Sequence, residues 1–168
     1  MKISMYQASV PAFIRALGNL AVVLDKGVAF AEARKIDPAV LVNSRLFPDM
    51  YPLSRQVQIV TDNAKGGAAR LAGLEPPRYE DTESSFPELK TRIEKTISFL
   101  KTFKPEQIDG SEERTINLKL GRETLTLQGL PYLLNLVLPN IYFHSVTAYG
   151  ILRHNGVDVG KSDYLGKL

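Results

Sequence analysis

The sequence predicts an all-α fold: a bundle of four helices with a small β-hairpin between the third and the fourth. Three observations carry that reading. Apolar residues recur at steps of three and four in four separate stretches, the mark of amphipathic helices. Two capping strings, Ser4-Met5-Tyr6-Gln7 and Ser85-Phe86-Pro87-Glu88, stand where helices should begin. Between Thr115 and Gln128 the apolar period drops to two, the mark of strands.

In the first helix the Ser4 hydroxyl can cap a free amide while Gln7 reaches back. Tyr6, Val10, Phe13, Leu17, Leu20, Leu24, Val28 and Ala31 then form one stripe. Pro11 removes one backbone hydrogen bond, Gly18 and Gly27 are weak points, and Gly27 is a candidate break. Asp37-Pro38 marks the end. The second helix follows Pro48 or Pro52, buries Leu53, Val57, Val60, Ala64, Ala68 and Leu71, and stops at Gly73. Its Lys65-Gly66-Gly67-Ala68-Ala69 run costs about 1 kcal/mol per glycine against alanine. Either another backbone comes close there or the helix kinks.

Residues 75–84 are polar and proline-containing and read as a long crossover. The third helix begins at Ser85, with Pro87 in its first turn, and buries Leu89, Ile93, Ile97, Leu100 and Phe103. In the hairpin, a turn at Gly121-Arg122 pairs Leu118 with Leu125 and Ile116 with Leu127, all on one face. The last helix spans residues 131–155, with Pro139 inside and Gly156 as its stop. It is apolar nearly all round, which predicts the most buried helix. The tail from Val157 onward carries turn signals and no clear period.

A length of 168 residues suits one domain, residues 1–168, and 44% hydrophobic with 23% charged residues is ordinary globular composition. The absence of cysteine excludes disulfides, cysteine-based zinc and iron–sulfur sites and thiol nucleophiles. Two histidines cannot make a three-histidine site within one chain. The net charge of +3 is unevenly placed: residues 75–113 carry ten acids against six bases, residues 1–47 six bases against three acids. No Lys/Arg run is interleaved with aromatics, so a nucleic-acid partner is not expected. No secretory signal is visible, and no apolar run approaches the roughly 20 residues of a membrane span. A soluble cytoplasmic protein without a membrane partner is the expectation.

The candidate site centres on His144. Asn140 and His144 are four apart and share a helix face. His144 also falls on the stripe of Leu134, Val137, Ile141, Ala148 and Ile151, which points it inward, where each ring nitrogen needs a partner. Asp49, Gln56 and Asn63 recur by sevens beside the apolar stripe of the second helix and are the expected partners. Two readings stay open: a core histidine beside a coiled-coil-like flank, or a ligand pocket with an acid–base group. Gln58 and Asp62 point almost opposite to that stripe and are expected at the surface or an interface. His154 is turned about 80° from His144 on an ideal helix, so one metal is not expected to hold both. Gly160-Lys161-Ser162 is not a phosphate loop, because position 155 is Asn155 and a helix precedes it.

The string from Phe143 to Val157, FHSVTAYGILRHNGV, followed by Gly160-Lys161, resembles the closing signature of a bacterial family, domain of unknown function 1993. Asp49-Met50-Tyr51-Pro52-Leu53, Gln56-Val57-Gln58, Ala64-Lys65-Gly66 and Asp81-Thr82-Glu83 resemble the same family. That family is similar to the DinB/YfiT-like superfamily of four-helix bundles. The resemblance implies an up-down-down-up order, a long connection between helices two and three, and a homodimer. It also implies a divalent metal held by one His of helix two and an HxxxH pair of helix four, used by some members for thiol transfer or isomerisation. Aligned on Leu152-Arg153, His144 takes the second position of that pair and Asn140 the first, while helix two has no His.

One ligand of three is retained, and carboxamides substitute poorly for imidazole on zinc or nickel. The expectation is therefore no tightly bound cofactor or transition metal. In its place we expect a small ligand in the bundle core at His144, Asn140, Gln56, Asp49 and Asn63. The alternatives are a metal-dependent hydrolase or thiol transferase with a divalent metal at His144, and a structural dimer joined by the small-residue surface around Gly66 and Gly67.

Overall fold

The structure, a computed structural model, describes residues 3–121 and 123–167. Both capping strings open helices. Ser4 Oγ accepts from the Gln7 amide, and Gln7 Oε1 accepts from the Ser4 amide at 3.2 Å. Helix α1, Met5–Arg34, then runs without a break. Gly27 does not interrupt it, because it is buried where a Cβ would lie 3.2 Å from Leu152 Cδ2 and from the Phe86 ring. Close packing there outweighs the weak helix propensity of glycine. The short helix α2, Pro38–Asn43, follows, capped by Asp37 Oδ1 on the Ala39 amide at 2.9 Å.

Helix α3, Leu53–Leu71, buries its expected stripe completely. It closes in a Schellman motif: the Gly73 amide donates to Arg70 O, the Leu74 amide donates to Ala69 O, and Gly73 takes φ +74°. The small-residue run neither kinks nor faces outward. Gly67 lies where a Cβ would come 2.8 Å from Val137 Cγ1, and the space over Gly66 is taken by the Arg70 guanidinium. Gly66 and Gly67 therefore lie within the protomer's own packing and not on a free surface.

Helix α4, Phe86–Leu100, starts from Ser85, whose amide donates to Glu88 Oε2 at 3.0 Å. Helix α5, Pro105–Ile108, leads to strands β1, Thr115–Leu120, and β2, Glu123–Gln128. These pair antiparallel in the expected register, Ile116 opposite Leu127 and Leu118 opposite Leu125. Of the expected turn residues, Arg122 lies outside the described residues.

The last helix is not one regular helix. It is α6, Gly129–Tyr132, a π-helical turn at Leu133–Val137, and α7, Leu138–His154. Pro139 accounts for the wide turn: it has no N–H, and its ring would crowd the carbonyl one turn earlier. The extra residue also shifts the phase. Leu133 is buried, whereas Leu134, expected in the core, is exposed. Nor is this helix buried all round, for Tyr142, Phe143 and Val146 are exposed as well. The tail forms a further short helix, α8, Lys161–Leu165. It docks on α1 through a Lys26–Asp163 ion pair at 2.8 Å and a bond from Asn19 Nδ2 to Tyr164 O at 3.0 Å.

Helix α3 packs against α7 and α4, and α1 packs against α4, α7 and α3. Phe13, Leu17, Val57, Val60, Leu89, Ile93, Ile141 and Leu152 fill the space between them. Helix α1 is long and apolar enough to cross a membrane by length and composition, but its apolar stripe is part of this core.

Charge fastens the crossover of residues 75–84. Arg92 of α4 is only 3% exposed. Its guanidinium meets Asp62 at 2.7 Å, Asp81 at 3.0 Å and Glu83 at 3.0 Å, and donates through Nε to Thr61 Oγ1 at 2.7 Å. Glu80 O accepts another bond from it at 2.9 Å. Gln58 and Asp62 are therefore not free surface residues. The crossover covers that face of α3, burying Gln58, which donates to Glu83 at 3.1 Å, and Asp62 lies in the ion cluster.

Three substitutions test this packing by urea denaturation. Gly67→Ala is expected to destabilise by about 1–3 kcal/mol through overpacking. Gly18→Ala, with open space around the added methyl, should stabilise by about 0.5–1 kcal/mol. Arg92→Met should cost about 3 kcal/mol, the low end for a broken buried ion pair, because its carboxylate partners keep some access to water.

Candidate functional site

Helix α7 presents His144 to α3, which answers with Gln56. His144 Nδ1 lies 2.7 Å from Gln56 Oε1, and Gln56 Nε2 donates to the Tyr51 carbonyl at 2.9 Å. The chain of bonds fixes the chemistry. A backbone carbonyl only accepts, so the Gln56 NH₂ must face Tyr51 and the amide oxygen must face the imidazole. Nδ1 therefore carries the proton, and Nε2 keeps its lone pair. Gln56 is 2% exposed, so this orientation is enforced within the core.

The ring itself is half-buried. Burial first, and then the positive charge of Arg55, lower the His144 pKa below its ordinary 6.5, so the imidazole is neutral at pH 7. Phe143 stands edge-on to the ring at 5.1 Å between centroids. Arg55 sits 5.9 Å from the centre of the Tyr51 ring and pairs with Asp81 of the crossover. Nε2 has no protein partner among the described residues, yet it is not sealed from solvent. The arrangement offers one outward, unprotonated imidazole nitrogen beside a cation and exposed aromatic rings.

The other sequence candidates are placed differently. Asn140 Nδ2 donates to Leu136 O at 2.8 Å, and Asn63 Nδ2 donates to Ile59 O at 2.9 Å, so each amide turns one N–H back onto its own helix. Asp49 is exposed in the turn before α3, because the helix begins only at Leu53. The sevenfold spacing thus never becomes a continuous helical seam. Gln56 alone of the three is hydrogen-bonded to His144. His154 is exposed near the end of α7. Sequence reasoning missed Tyr51 and Arg55: a carbonyl that orients a glutamine leaves no signal in residue identity, and Arg55 reads as one more helical cation.

Residues 5–165 match the family described as a domain of unknown function, DUF1993. The chain belongs to the DUF1993 family. A crystal structure of a DinB family member protein from Shewanella denitrificans is similar to it with a TM-score of 0.90 and 43% sequence identity. The match covers 97% of this chain and 92% of that one. Comparison with curated proteins finds no match.

The metal site that the DinB resemblance implies was tested against this DUF1993 chain's donors. Gln56 Oε1 is already engaged by His144 Nδ1, and Asn140 offers only a neutral carboxamide oxygen. Among the described residues no group of three His, Asp or Glu side chains is placed to hold a metal ion. This donor set does not fit a zinc or nickel site.

The depressed His144 pKa has a definite consequence for acid stability. Folding favours the neutral ring, so this contribution is complete above about pH 6.5 and is lost as pH falls below it. Thermal melting followed from pH 7.5 down to 5.0 should show a falling midpoint. In His144→Gln the fall over the same range should be smaller.

Proposed function

We propose that this DUF1993 protein binds a small ligand at His144 and does so without a transition metal. The observation that supports this most directly is the Tyr51–Gln56–His144 relay, which leaves Nε2 as an acceptor open to solvent. A ligand with an N–H or O–H donor suits that nitrogen, and the exposed ring of Phe143 beside it offers apolar contact. A neutral imidazole in this state is also a competent general base, so a hydrolase or thiol-transfer reading rests on the same atom. The metal-dependent form of that reading needs ligands that Asn140 and Gln56 do not supply.

Nitrogen NMR of labelled histidine should find the Nδ1–H tautomer at neutral pH, and Gln56→Leu should redistribute it. Calorimetric titration with nickel or zinc should give no submicromolar binding that His144→Ala removes. Tight binding lost in that variant would overturn the metal-free reading and put the metalloenzyme first.

We also infer that α1, α3, α4 and α7 form an up-down-down-up four-helix bundle of the DinB kind. The packing of α1 on α7, α7 on α3, α3 on α4 and α4 on α1 supports a closed ring in that order, as does the long crossover between α3 and α4. A homodimer fits the exposed strip of Tyr142, Phe143 and Val146 on α7 better than the buried glycines of α3. Light scattering should then report about twice 18.7 kDa, falling to one copy in Val146→Glu.

A further inference from the structure

Far along α3 from His144, the helix's C-terminal end and strand β1 enclose a cleft of about 530 Å³. Arg70, Arg114 and Lys119 line it, against a single acid, Glu75. Among the described residues none of the three cations has a carboxylate partner. Arg70 is partly buried, and its bond runs to the Tyr132 hydroxyl at 3.1 Å. Burial raises the Tyr132 pKa, so that phenol stays protonated and does not neutralise the guanidinium. A partly buried cation held by a neutral group is an electrostatic cost that an anion would relieve.

The remaining lining residues point to the same chemistry. Asn117, which also lines the cleft, accepts at Oδ1 from Thr126 at 2.7 Å, so its NH₂ keeps its donors for another acceptor. The Arg114 guanidinium lies where a Cβ on Gly73 would be 1.9 Å away, so the glycine makes room for it. Favourable cation–dipole contact at the helix end is a competing reading. The Schellman bonds already occupy Ala69 O and Arg70 O, however, and neither guanidinium donates to a helix carbonyl among the described residues.

We propose that this cleft is a binding site for a small phosphate-bearing anion, gripped by Arg70, Arg114 and Lys119. Planar guanidinium groups match phosphate oxygens in pairs, and the lysine supplies a further mobile charge. The site is independent of His144 and of the ligand proposed there.

The test is calorimetric titration of the full chain with pyrophosphate, and with inorganic phosphate, in a phosphate-free buffer at fixed ionic strength. Saturable binding with one site per chain is expected. Arg114→Gln and Lys119→Gln should each weaken it about tenfold, the order of one charge-assisted hydrogen bond. Lys161→Gln on α8, outside the cleft, should leave it unchanged. Without the anion, Arg114→Gln should not lower the melting temperature, because it removes an unneutralised cation. No saturable binding at millimolar pyrophosphate, or binding equal in all three variants, would overturn the proposal.

Discussion

The buried guanidinium of Arg92 is the constraint around which the middle of the chain is arranged. Removing that charge from water is expensive, and burial alone would weaken its hold on its proton. Glu83, Asp62 and Asp81 more than offset that effect. Their positions explain the crossover. Asp62 comes from α3, Arg92 from α4, and Asp81 and Glu83 from the irregular segment between them, so the cluster closes only when all three pieces are in place. Tyr79 lies over the same charges, its ring 4.1 Å from Lys95 Nζ and 4.6 Å from Lys65 Nζ. A segment with no secondary structure is thereby tied to both helices. One of its acids, Asp81, also pairs with Arg55, whose charge helps to lower the His144 pKa.

A second constraint acts from the other side. Pro139 forces a wide turn into the last helix, and that turn changes which leucine enters the core. Beyond it, Ile141, Ala148 and Ile151 keep a regular inward stripe, and His144 follows the same phase. The imidazole meets α3 because the irregularity is finished before residue 138. Gly67 serves the same junction, letting Val137 approach α3 closely.

The family and the fold are shared with DinB-like proteins, but chemistry resides in particular atoms. Where the metal site implied by the resemblance calls for three imidazoles, the cluster around Gln56 holds only that of His144, and the neighbouring amides orient it or bond to their own helices. Gln56 acts here as carboxylates and carbonyls often act toward a histidine: it selects the tautomer. The result is a histidine prepared to accept a hydrogen bond.

Local patterns in the sequence were enough to specify the long helices, both capping boxes, the glycine stop at Gly73 and the hairpin register. Each depends on residues close together in the chain: a serine and its third neighbour, or the alternation of Ile116 with Leu118. The meeting of His144 with Gln56 was legible because helix periodicity fixes which face a residue occupies. What periodicity could not supply was the state of those residues. The burial of Gln58, the proton on Nδ1, the exposure of Leu134 and the role of Arg92 all depend on groups from distant parts of the chain. A polar residue opposite an apolar stripe looks solvent-exposed until a charged segment is laid over it. Only the tertiary structure could make that decision, because the energy of a buried charge is set by the partners folding brings to it, and not by its neighbours in sequence.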